Sequence, residues 1–123
     1  MLRELLNRAV VHNRGEMTVD DIVDLVDAGR MGVMVEMAGD DIALAVAFEV
    51  IPYPQRKVLN IAFVGGKNLQ SLADQREKFH AIAKAFGADT MTCSCRPSMV
   101  RYLRRLSPDV QQAYVVLEWK VPL

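Results

Sequence analysis

The sequence predicts an α/β domain of the α+β kind, a mixed and mostly antiparallel sheet flanked by helices. Three observations predict it. Two amphipathic helical stretches open the chain. Two alternating strands follow, joined by a tight turn at Gly39-Asp40. The stretch from Val58 to Leu106 then reads as strand, Gly65-Gly66, helix, Gly87, strand, Arg96-Pro97, helix. A hairpin combined with a strand–helix–strand crossover implies helices on both faces of one sheet. At 123 residues the chain reads as a single domain over 1–123.

Leu2, Leu5, Leu6, Ala9 and Val10 recur at helical spacing, so the N-terminus is read as an amphipathic helix burying one face. Thr18 is placed to cap a second helix, with Asp21 three residues on as its capping-box partner. Val19, Ile22, Val23 and Val26 form its apolar stripe, Asp20, Asp24 and Asp27 its acidic face, and Gly29 its stop.

Val33, Val35 and Met37 alternate with Gly32, Met34 and Glu36 in the first strand. The second strand runs from about Ile42 to Ile51. Large residues (Ile42, Leu44, Val46, Phe48, Val50) line one side, and Ala43, Ala45 and Ala47 the other. The small face is read as the seat of a packed helix. Val58 to Val64 is almost wholly apolar and therefore central. A long helix is expected from about Leu69 to Phe86, closed by Gly87, then a strand from Thr90 to Cys95. Pro97 suits the first turn of the next helix. There Met99, Tyr102, Leu103 and Leu106 face inward and Arg101, Arg104 and Arg105 outward. A last strand is expected from Tyr114 to Val121. The full order is ααβββαβαβ.

Composition narrows the function classes. No apolar run approaches the roughly 18 residues of a membrane span, and the first residues lack the apolar centre of a signal peptide. Formal net charge is zero, yet residues 1–50 carry four arginines against ten acids, and residues 51–123 carry eleven bases against five. This bipolarity argues against nucleic-acid binding by the whole molecule and permits protein contact or head-to-tail self-association. Cys93 and Cys95 are read as reduced thiols, because alternate side chains on a strand stand too far apart for an unstrained disulfide. His12 and His80 have no carboxylate or cysteine at ligand spacing, so no metal site is expected. Ser94 and Ser98 lack a nucleophile-elbow context.

A glycine pair after a buried strand and before a helix is one way to build an anion pocket. Gly65, Gly66, Lys67 and Asn68 are therefore the candidate cofactor-binding residues, the alternative being a plain packing turn.

The element order, the strands Glu49-Val50-Ile51-Pro52-Tyr53-Pro54 and Val58-Leu59-Asn60-Ile61-Ala62-Phe63-Val64-Gly65-Gly66, the helix end Ala83-Lys84-Ala85-Phe86-Gly87-Ala88, and the segment Arg96-Pro97-Ser98-Met99-Val100-Arg101-Tyr102-Leu103 together resemble the Gcn5-related N-acetyltransferase (GNAT) superfamily. More narrowly, the chain resembles the small GNAT-like proteins of tailed bacteriophages. The resemblance covers about two-thirds of the chain. It implies a GNAT-like sheet and, in catalytic members, acetyl-CoA held at a Gln/Arg-x-x-Gly-x-Gly/Ala loop. Here that interval reads Gly65-Gly66-Lys67-Asn68-Leu69-Gln70-Ser71-Leu72, with no glycine beyond Gly66. The family's usual C-terminal tyrosine acid falls at Leu103 if Ser107 takes the motif's glycine position. Tyr102 reads as a core tyrosine. Glu36 and Glu49 are the strand carboxylates available as a base, each equally well read as exposed. The family normally opens with a strand, not a helix.

Three functions follow as expectations. The first is a non-catalytic GNAT-like phage protein that binds a phage structural protein, another protein or a second copy of itself. It would have no cofactor and would act in the virion or the host cytoplasm. Its contact faces would be Arg101, Arg104 and Arg105 on one helix and Asp20, Asp24 and Asp27 on another. The second is an acyl-CoA-dependent N-acetyltransferase. The third is a small module that binds and regulates a host protein.

Overall fold

The computed structural model describes Arg3, Asn7 and residues 17–122. The N-terminal amphipathic helix expected over Leu2–Val10 lies outside the described residues, except that Arg3 and Asn7 are themselves helical.

Helix α1 spans Val19–Asp27. Its start is the expected capping box. The Thr18 amide donates to Asp21 Oδ2 at 2.8 Å, and the Asp21 amide donates to Thr18 Oγ1 at 3.2 Å. Two first-turn donors are thereby satisfied by side chains rather than water. Its end is a Schellman turn: Gly29 sits at φ +72°, its amide reaches Val26 O at 3.0 Å, and the Arg30 amide reaches Leu25 O at 2.9 Å.

Strands β1 (Met31–Ala38), β2 (Asp41–Pro52) and β3 (Lys57–Gly66) form an antiparallel meander. Ala38 pairs with Asp41, so Gly39-Asp40 is the two-residue turn that the sequence predicts. Strand β4 (Thr90–Cys93) adds parallel to β3, giving the order β1-β2-β3-β4 with β3 central on one side of β2. The register carries two irregularities, at Glu36/Met37 and at Ala47/Phe48.

The sheet separates two cores. On one face Val19 and Ile22 of α1 pack on Met31, Ile42, Ala45 and Ala47. The alanines of β2 thus admit a helix, as their size suggested. Ile42 departs from the expected alternation by joining this face. On the other face Leu44, Val46, Phe48, Leu59 and Ile61 meet Leu72, Phe79, Ala83 and Leu103. Phe48 and Phe79 lie edge to face with centroids 5.4 Å apart.

Three expectations are corrected. The single helix expected from Leu69 to Phe86 is two segments, a 3₁₀ helix over Leu69–Gln75 and α2 over Arg76–Ala85. The reason is a three-residue repeat. Leu69, Leu72 and Gln75 recur every third position, and the latter two are buried, which fits three residues per turn. The second correction is at the C-terminal end. After the short 3₁₀ turn Pro97–Met99 and helix α3 (Val100–Leu106), no strand forms over Tyr114–Val121. Those residues stand exposed and off the sheet. Alternation and β-branching favour a strand only where a neighbour supplies hydrogen bonds and packing. Strand β4 likewise stops at Cys93 rather than Cys95.

Candidate functional site

The loop after β3 brings three of the four candidate cofactor-binding residues together with Tyr102. Gly66, Lys67, Asn68, Leu69 and Gln70 line an open depression of about 380 Å³, with Tyr102 of α3 as its far wall. Strand β4 ends before β3 reaches the depression. Their pairing ends at Ile61↔Cys93, while β3 continues to Gly66 with β2 on its other side. Gly65 is not part of the depression. It is buried in β3 opposite Ala45.

The loop is closed on β2. The Lys67 amide donates to Ala43 O at 3.1 Å, and the Asn68 amide donates to the same oxygen at 3.4 Å. The Lys67 ammonium is paired with the Asp41 carboxylate, which also accepts from the Ile42 amide at 2.9 Å. Gly66 makes this approach possible. A Cβ there would lie 2.3 Å from Ala43 O and 2.9 Å from Leu44 Cα. Two amides and one cation that an anion would require therefore already serve the link between β3 and β2. The turn runs into a 3₁₀ helix whose cap residue, Asn68, makes no side-chain cap bond. Ser71 Oγ donates back to Asn68 O at 2.7 Å.

Tyr102 has two roles. It packs against the core that contains Leu103, and it also lines the depression. Arg101 lies over the ring at 4.8 Å and donates from Nη2 to the phenolic oxygen at 3.0 Å. Sequence reasoning placed Tyr102 in the core and missed its place on the depression. The helical spacing of Met99, Tyr102 and Leu106 was consistent with either. Leu103, at the family's tyrosine position, is buried.

The two strand carboxylates are held in hydrogen-bonded networks. Glu49 accepts from Asn60 Nδ2 at 2.9 Å, and Thr92 Oγ1 donates to Asn60 Oδ1 at 2.7 Å, forming a polar ladder across β2, β3 and β4. Glu36 accepts from Gln75 Nε2. Gln75 is buried, and among the described residues its Oε1 has no hydrogen-bond partner.

The charged faces lie apart. Asp20, Asp24 and Asp27 are exposed on α1, which covers one face of the sheet. Arg101, Arg104 and Arg105 are exposed on α3, which packs on the other. Asp20 is paired with Arg3 of the same chain at 2.5 Å, an exposed pair of little energetic weight. Cys93 and Cys95 are free thiols. Burial, and then Cys95 beside it, push Cys93 up to about 12. Cys93 is therefore a neutral packing residue rather than a nucleophile. Among the described residues no group of three or more His, Cys, Asp or Glu side chains is placed to hold a metal ion. No described helix is long and apolar enough to cross a membrane.

No protein-family model matches this sequence, and no curated protein does. Solved structures do match. A probable acetyltransferase aligns with a TM-score of 0.71 at 8% identity, over 99% of this chain and 89% of the other. An aminoglycoside acetyltransferase from an uncultured soil metagenomic sample, in complex with sisomicin, aligns with a TM-score of 0.71 at 11% identity, over 98% and 86%. An aminoglycoside N-acetyltransferase in complex with CoA aligns equally well, over 97% and 85% at 11% identity. The fold is that of the GNAT acetyltransferases. At such identities the likeness is one of fold.

Proposed function

We propose that this is a non-catalytic protein on a GNAT fold, acting through protein contacts. One observation carries the reading. The Lys67 and Asn68 amides converge on the Ala43 carbonyl, so the turn that could cradle a pyrophosphate is closed by its own sheet. The Lys67–Asp41 pair and the buried Leu103 support it. The exposed arginines of α3 are the proposed contact face toward an acidic protein surface. A virion or host-cytoplasmic setting and a bacteriophage origin belong to this proposal and rest on the sequence resemblance alone. An Arg101→Glu/Arg105→Glu variant is expected to lose its partner in a pull-down while keeping its fold.

A second reading, acyl transfer from CoA to an amine, is favoured by a different observation. Strand β4 stops at Cys93, so β3 runs on from Ile61 without it toward the open depression that Gly66 and Tyr102 line. This gap would have to admit the thioester, and its free strand amides would polarise the carbonyl. Thermal unfolding with acetyl-CoA separates the two readings. A ligand at a hundred times its Kd stabilises by about 2.7 kcal/mol. The non-catalytic reading predicts an unchanged Tm at millimolar acetyl-CoA, and a saturable rise supports the enzyme.

A further inference from the structure

Strand β1 forms one edge of the sheet, with β2 as its one neighbour among the described strands. Its eight residues, Met31–Ala38, include no lysine or proline, the usual guards of a strand edge. The charge it carries, Glu36, is taken up by Gln75 Nε2. The irregularity in its pairing leaves Ala43 of β2 without a partner, between Ile42 and Leu44, so β1 itself carries no bulge. Val35 and Met37, on the face that bears α1, are 39% and 50% exposed. An unguarded apolar edge of this length is a template for another strand.

The edge is complementary to itself. In an antiparallel pair about a two-fold axis, each residue meets the one equally far on the other side of the axial residue. With Val35 on the axis, Val35 meets Val35, Val33 meets Met37 and Met34 meets Glu36 of the second copy. Arg30 stands five residues before Val35 and Asp40 five after it, so each end of the pairing sets an arginine opposite an aspartate. Both residues are exposed, and among the described residues neither is ion-paired. No like charges stand opposite each other in this register.

We propose that β1 pairs with β1 of a second copy about Val35, forming a two-fold dimer with one continuous eight-stranded sheet. An axis perpendicular to the sheet reverses the strand and keeps its faces. Both α1 helices therefore lie on one side of the joined sheet, and both α3 helices on the other. Eight residues paired in this way offer about eight main-chain hydrogen bonds, near the roughly ten of a typical interface. The contact uses neither the depression nor the arginines of α3, so it is compatible with either functional reading.

Light scattering behind a sizing column, over a dilution series of the full chain, tests the proposal. The expected result is twice the chain mass. Asp40→Arg sets like charges at both ends of the pairing and is expected to raise the dimer Kd about tenfold. Adding Arg30→Asp to it reverses both end pairs and should restore the dimer. Val35→Cys in a Cys95→Ser background should cross-link to its own copy through a short bifunctional thiol reagent, because directly opposed residues lie about 5 Å apart across a strand pair. A monomer at every concentration overturns the proposal and leaves the edge to an extended segment of another protein. A dimer unmoved by Asp40→Arg, or not restored by the double exchange, overturns it as well. So does a dimer in which Val35→Cys fails to cross-link. Far-ultraviolet circular dichroism checks that each variant folds. Should a charge variant not fold, the mass of the unaltered chain and the cross-link still decide.

Discussion

Gly66 illustrates how a single residue can carry two readings until its neighbour is known. Its φ of +158° and the Ala43 carbonyl 2.3 Å from a would-be Cβ leave no room for a side chain. Gly66→Ala is expected to cost at least about 2 kcal/mol, through a clash with backbone that has no rotamer to yield. Chemical denaturation measures this, and a change below the error of the method contradicts the close packing. Cys93 makes a second prediction. In the fold its pKa is about 12 against an ordinary 9.0, with burial the main cause. Between those values the unfolded chain has released the proton that the folded chain retains, so stability falls as pH rises. The slope reaches about 1.4 kcal/mol per pH unit for one group. Cys93→Ala should show a shallower decline across that window, and parallel curves for the two proteins would refute the assignment. The glycine pair itself was legible in the sequence. Its purpose was not, because the Ala43 carbonyl that decides it sits on another strand.

At the level of elements, the features read best were those whose cause is local. Thr18 and Asp21 form their capping box, and Gly29 and Gly87 take left-handed stops, at φ +72° and +71°. The β1–β2 turn and the inward face of α3 depend on short-range patterns of the same kind. Thr18→Ala should lower stability by about 1 kcal/mol, the usual worth of such a cap, readable from the denaturation midpoint. The features read poorly were those needing a distant partner. A three-residue repeat is hard to see inside a 3.6-residue pattern, and so the 3₁₀ segment was merged with α2. The C-terminal segment has the right alternation, yet no regular structure forms over Tyr114–Val121. Phe79, fully buried against Phe48, anchors α2 to the sheet. Phe79→Ala is expected to cost about 3–5 kcal/mol. A loss under 1 kcal/mol would mean that this core is not formed as described.

The whole molecule is a sheet with a core on each face, and its charge follows that division. Acids cluster on α1 and arginines on α3, on opposite faces, so these two clusters do not neutralise each other within one chain. The charge asymmetry was visible in the sequence; that the two sets face away from each other was not. The family resemblance concerns this same scale. GNAT acetyltransferases share the architecture at about a tenth identity, which leaves the activity to be argued from the loop. The loop argument rests on the two amides that meet at Ala43. Amide-resolved NMR during a titration with CoA tests it most directly. The account predicts slowed hydrogen exchange at Lys67 and no saturable shift of the Lys67 or Asn68 amide. Fast exchange at Lys67, with both amides moving to a saturable plateau as CoA is added, would contradict it.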